Sequence, residues 1–173
     1  SLDGKLNQAL EGITGPALAP DGSQLASEAT ATTAQNILAF TSPEGGNRRS
    51  YPLPGNNLVN YAWSPAGDAI SAIVAIRSDY SGKVSGNRNF LIEARTLAIS
   101  EYAQSNLLNP RVLWSPDGTY LFWIGTLPSE GGYKIGGSLV NRGSKQVSDL
   151  SPAIGLASPD YLVVTNADWL ALP

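Results

Sequence analysis

Residues 63–67 read WSPAG and residues 114–118 read WSPDG, nearly the same five letters written twice. Two weaker copies flank them: LAPDGSQLAS at 18–27, and a degenerate ASPDYLVVT at 157–165. The prolines of the four copies, Pro20, Pro65, Pro116 and Pro159, are 45, 51 and 43 residues apart. A period in the forties suits two architectures, four-stranded β-propeller blades and two-helix solenoid repeats. The segments after each turn are short, rich in Ile, Val, Leu and aromatic residues, and bounded by Gly, Pro, Asn or Ser, which is how strands read. A helical repeat needs ten or more residues at 3.6 spacing without Pro or Gly, and no repeat offers that. A β-sandwich also has short strands and turns, but it does not require a motif at a steady period.

The motif is a turn. Proline sets φ near −65°, Asp places a carboxylate where it accepts backbone N–H groups, and Gly takes the left-handed conformation without steric cost. The residues on either side therefore form adjacent antiparallel strands. Trp63 and Trp114 close the incoming strands, where a large ring covers the edge of a neighbouring sheet.

Each repeat divides into four strands. The first reads 15–19, 23–30, 36–42 and 48–53, with the hairpin PEGGN at 43–47. The second reads 58–63, 69–76, 89–96 and 98–103, and the third 110–114, 120–126, 134–142 and 145–150. After Pro159, the segments 160–165 and 167–173 leave room for a second and third strand but no fourth, which residues 3–13 are placed to supply.

A strand, W-S-P-D-G, an apolar strand, a third strand and a D/E-G-x-x-R-R hairpin together resemble the TolB-type β-propeller repeat. NILAFTSPEGGNRRSYPL (36–53) is similar to the family's third-to-fourth strand hairpin, and WSPDGTYLFW (114–123) to its first-to-second. The resemblance covers about residues 15 to 165 and departs at Ala66, which replaces Asp, and at Tyr161, which replaces the turn glycine. The expected fold is all-β: a propeller of about four short antiparallel blades, over about 14–54, 55–104, 105–150, and 151–173 joined with 1–13. A minimal ring sealed by the N-terminal strand and an arc of a larger ring both fit. The family acts in the bacterial periplasm as an interaction platform, so the resemblance implies a protein partner and a periplasmic or extracellular location.

Composition narrows the chemistry. The 173 residues are 42% hydrophobic and 14% charged, with 18 Gly and 12 Pro, in keeping with one domain of short strands and many turns. A net charge of −3 with scattered basic residues is unlike a nucleic-acid surface. There is no Cys and no His, which removes thiol nucleophiles, disulfides, and the commonest general base and metal ligand. Met is absent too, so Ser1 reads as the start of a processed, trimmed or fragmentary chain. No apolar run approaches the roughly 20 residues of a membrane helix. No serine-hydrolase elbow, GxGxxG or P-loop occurs.

The turn acids Asp21, Asp117 and Asp160 are explained by their turns, and no carboxylate pair marks a glycosidase. The longest polar insertion, RSDYSGKVSGNRN (77–89), carries Arg77, Asp79, Tyr80, Lys83 and Arg88, a recognition-like mixture on what reads as a loop. Arg48, Arg49 and Tyr51 form a second candidate surface. No cofactor, metal site or catalytic residue is expected. The leading functional expectation is a non-enzymatic binding or scaffold module. The alternatives are the propeller of a glycan- or peptide-processing enzyme, and a structural subunit whose open blades another copy completes, with self-association as its consequence.

Overall fold

The computed structural model describes residues 13–30, 36–44, 46–54, 57–77, 84–154 and 157–158. They form three four-stranded antiparallel meanders, each in simple sequence order. The first sheet is β1 (Ile13–Leu18), β2 (Leu25–Thr30), β3 (Asn36–Thr41) and β4 (Arg49–Leu53). The second is β5 (Asn57–Trp63), β6 (Ala69–Arg77), β7 (Val84–Glu93) and β8 (Ile99–Ser105). The third is β9 (Leu108–Trp114), β10 (Tyr120–Ser129), β11 (Gly132–Asn141) and β12 (Val147–Asp149). A single helical turn, α1 (Ser151–Ile154), and the two-residue β13 (Ala157–Ser158) follow. None of the described helices is long and apolar enough to cross a membrane.

The sheets are not closed on one another by the described strands; they stack face to face, with β5 packed between β1 and β9. Two apolar cores fill the two seams. Leu38, Phe40, Trp63, Ile70, Val74 and Ile92 build the first; Ile73, Leu91, Val112, Trp114, Leu121 and Trp123 build the second. Alternation along a strand explains both at once. On β6, Ile70, Ala72 and Val74 face the first sheet, while Ala69 and Ile73 face the third. A sheet buried on both faces has no polar side, so AISAIVAI reads as a near-continuous apolar run.

The tryptophans do more than fill space. Trp63 Nε1 donates across the seam to the carbonyl of Ala17 on β1 at 2.9 Å, and Trp114 Nε1 donates to Ala62 on β5 at 3.1 Å. Ala17 and Ala62 hold the same place in the repeat, three residues before the turn proline. Leu18 stands where the first copy would have its tryptophan, and it is 56% exposed.

Two expectations need correcting. Within the insertion 77–89, the described residues, 77 and 84–89, are strand and not loop, because β6 runs to Arg77 and β7 begins at Val84. Its asparagines are buried and hold backbone carbonyls: Asn87 donates to Leu107 in the link between sheets, and Asn89 to Ala103 at 3.0 Å. Ala157 and Ser158, read as the entry to a fourth blade, instead pair with Lys134 and Tyr133 on the edge of β11. Of the proposed closing segments 3–13, 160–165 and 167–173, only Ile13 is described, as the first residue of β1; the rest lie outside the described residues.

Gly125 and Gly136 face each other across β10 and β11 because the Leu107–Leu108 link crosses above them. A Cβ on Gly125 would lie 2.8 Å from the backbone oxygen of Leu108. Gly125→Ala is therefore expected to cost about 1–3 kcal/mol through overpacking. Trp114→Phe keeps a ring but loses the indole donor and is expected to cost about 1 kcal/mol, against about 3–5 for Trp114→Ala. Urea denaturation of the three variants checks the order; an unchanged Trp114→Ala would show that the ring does not join the sheets.

Candidate functional site

The repeated turns bring carboxylates, hydroxyls and arginines to one end of the strands. Each turn closes with a short backbone bond, as in Gly118 N–H to Ser115 C=O at 2.9 Å, and each glycine is left-handed, with φ of +73°, +68° and +71° at Gly22, Gly67 and Gly118. The turns lie in a row: Gly67 approaches Asp21 and Pro20, and Gly118 approaches Pro65.

The carboxylates serve the turns. Asp117 accepts from the Thr119 amide at 3.0 Å, the Thr119 hydroxyl at 2.7 Å and the Ser115 hydroxyl at 2.6 Å. Its carboxyl is pulled down to about 2, first by Ser115 and then by Thr119. Asp21 accepts from the amide and hydroxyl of Ser23, which likewise lower its pKa. In the second copy Ala66 has no carboxylate, and Asp68, two residues later, takes the hydroxyl of Ser64 at 2.6 Å. That shift frees the other side of Asp68 for the next sheet. Arg142, from the β11–β12 turn, meets it with both guanidinium ends, at 3.1 and 3.0 Å. The Arg142 guanidinium also reaches Glu93 at 3.5 Å and lies 5.6 Å from the centre of the Trp114 ring. Arg142 is the first cause of the lowered Asp68 pKa. No feature of residues 142–145 marked this clasp; the displaced aspartate in SPAGD was its one signal.

At the same end of the first sheet lies a cavity of about 600 Å³, lined in part by Ser23, Gln24, Thr41, Ser42, Arg48 and Arg49. Arg49 is half-buried and spans the first seam, donating to Gln24 Oε1 at 3.5 Å and to the carbonyl of Ala94 at 3.4 Å. Arg48 is exposed and makes no ion pair among the described residues. Tyr51 turns away into the core, edge-on to Phe40 at 6.2 Å between centroids. Of the second candidate surface, Arg48 and Arg49 line the cavity and Tyr51 does not.

The other candidate set is at the opposite strand ends. Asp79, Tyr80 and Lys83 lie outside the described residues, and for Arg77 only the strand position is described. Arg88 lies on β7, where Nε donates to Glu101 Oε1 at 3.1 Å while a second nitrogen pairs with Oε2. It also stands 5.2 Å from the centre of the Phe90 ring. Next to this hairpin, Ser85, Gly86, Leu108, Pro128 and Tyr133 line a groove of about 450 Å³ between the second and third sheets, with Tyr133 55% exposed.

No protein-family model matches the chain. No curated protein matches its sequence. Solved structures do match. TolB from Acinetobacter baumannii aligns over 80% of this chain with a TM-score of 0.57 and 18% identity. The fold is a TolB-like β-propeller. The β-propeller domain of the Trilobed protease from Pyrococcus furiosus, with an open velcro topology, aligns over 78% with a TM-score of 0.55 and 15% identity. An acylaminoacyl peptidase from Pyrococcus horikoshii aligns over 78% with a TM-score of 0.58 and 13% identity. The aligned region covers 32%, 41% and 24% of these three chains respectively. Propellers of this kind thus occur both in TolB and within peptidases, and the likeness is one of fold. In propeller terms, the three sheets are blades and the WSPDG turns line one face.

The turn carboxylates give a pH prediction. Asp117 has a folded-state value of about 2, below the value of about 3.9 in an unfolded chain. The stability it contributes is therefore complete above about pH 4 and is lost as pH falls through the folded value. Denaturation midpoints measured from pH 5 to pH 2 should fall for the wild type and fall less for Asp117→Asn. Equal slopes would mean that the turn does not hold the anion.

Proposed function

We propose that this chain is a non-enzymatic protein-binding module, with its partner contact at the β6–β7 end of the second and third blades. The observation that carries the reading is electrostatic. Every described carboxylate with a displaced pKa is displaced downward: Asp21, Asp68, Glu101, Asp117 and Asp149. A general acid needs the opposite, a carboxyl kept protonated near neutral pH by burial or by a neighbouring anion. Turn donors and arginines hold these groups as anions, which suits scaffolding and not proton transfer.

The groove beside Tyr133 supplies the location. It joins an exposed aromatic ring, Leu108 and Pro128 to small polar residues at the foot of the hairpin that carries Arg77, Asp79, Tyr80 and Lys83. Aromatic and arginine side chains at the mouth of a groove are the usual anchors of protein recognition. The periplasmic or extracellular setting implied by the family resemblance belongs to this proposal. So does the possibility of a second copy as partner.

The test uses a photo-crosslinking amino acid placed singly at positions 80, 133 and 144 in the full-length protein, in the cells that make it. One recurrent protein adduct at 80 and 133, absent at 144, is the expected result. The purified protein should also turn over neither oligosaccharide nor peptide panels. Turnover that Asp or Glu variants abolish would replace this reading with the enzymatic one, and adducts spread equally over all three positions would remove the assigned face.

A further inference from the structure

We infer that the cavity on the turn face of the first blade binds carboxylate groups of an acidic peptide. The choice of a peptide rests on the reading of the chain as a protein-binding module; the preference for an anion stands on the cavity itself. This is a second site, at the opposite strand ends from the Tyr133 groove.

Two arginines line the cavity, and its lining includes no carboxylate. Arg48 reaches it from the β3–β4 hairpin with its guanidinium free of any ion pair among the described residues. Arg49 enters it with two long contacts at 3.5 and 3.4 Å, both from one nitrogen, which leaves most of its donors uncommitted. Glu44 lies in the same hairpin and pairs with neither arginine. The nearest turn carboxylate, Asp21, is taken up by the amide and hydroxyl of Ser23. In the wall, Thr41 is 2% exposed and its hydroxyl has no partner. That hydroxyl is sealed from the cavity, so the contacts to a ligand fall to Arg48 and Arg49.

Two adjacent guanidinium groups fit carboxylates better than they fit any neutral group, because each fork matches two oxygens in one plane. The volume of about 600 Å³ admits an acidic side chain with part of its backbone. The amides of Gln24 and Asn47 stand beside it for pairing with peptide groups. An acidic sugar would offer the same charge but would gain from a stacking surface. Phe40, the aromatic residue of this wall, is 1% exposed and presents none. The neighbouring blades do not repeat the arrangement. In the second, Ala98 and Ile99 stand at the entry to β8 where Arg48 and Arg49 stand at the entry to β4, and the third uses Arg142 to clasp Asp68.

Titration with a fluorescent hexaglutamate peptide, and with hexaglutamine as the neutral counterpart, tests the inference. Saturable binding of hexaglutamate alone is expected, weakening with added salt. Arg48→Glu should weaken it about tenfold or more, as removal of one charge-assisted hydrogen bond does. Lys145→Glu, the same change of charge on the third blade, should leave it within about twofold, because exposed charges beyond a Debye length are screened. Arg48→Gln, which adds no repulsion, should fall between them and guards against misfolding of the charge reversal; circular dichroism melts confirm the fold of each. Equal binding of hexaglutamine, equal losses for Arg48→Glu and Lys145→Glu, or no saturable binding would overturn the site. Binding of an oligouronate with none of hexaglutamate would overturn the peptide. None of these variants touches the β6–β7 end, so failure here leaves the crosslinking result to stand or fall separately.

Discussion

The stack of sheets depends on one recurring bond, an indole N–H that crosses from the end of one blade's first strand to a carbonyl of the blade before it. Trp63 makes it to Ala17 and Trp114 makes it to Ala62. Backbone polar groups at a buried seam must find partners, and an apolar side chain offers none. Tryptophan is the side chain that brings a large apolar body and one donor together. The bond therefore gives the seam both its apolar area and its register. Ring contacts thicken the joint: Phe40 stands edge-on to Trp63 at 5.8 Å, and Arg142 lies near Trp114.

The same constraint decides what is left over for chemistry. Stacking the SPxG turns in a row gathers carboxylates on one face, an arrangement that could suggest catalysis. Each is then occupied. Asp117 and Asp21 hold their own turns, and Asp68 divides itself between Ser64 and Arg142. The groups that stay available lie at the hairpins and not in the repeated turns: the arginines of the β3–β4 hairpin and the aromatic groove beside β6–β7. The proposed binding module, with its two separate faces, rests on this distribution.

Much of the fold was legible in the chain because its signals are local. Proline, aspartate and glycine act within four residues, so the turn geometry, the left-handed glycines and the strands on either side all follow from the letters. Polar residues misled where their partners are distant in sequence. The polar run 77–89 read as loop, yet its Asn87 and Asn89 are each buried against a carbonyl that the β8 strand and its exit supply. Tyr51 looked like surface beside Arg48 and Arg49, but alternation on β4 turns it toward Phe40. Ala157 and Ser158 resembled the entry to a new blade, and the edge of β11 captured them.

What the sequence by itself determined is the unit: a four-stranded meander with the W-S-P-D-G turn between its first and second strands, repeated at a period in the forties. Turn chemistry and strand alternation are short-range, so they survive without knowledge of the rest of the chain. Only the tertiary structure decided which charges are spent and which are spare. Arg142 and Arg48 are both arginines in third-to-fourth strand hairpins, and nothing local separates them. Across the second seam a displaced aspartate waits for Arg142 and neutralises it. Arg48 has no such neighbour among the described residues, and it faces a cavity instead.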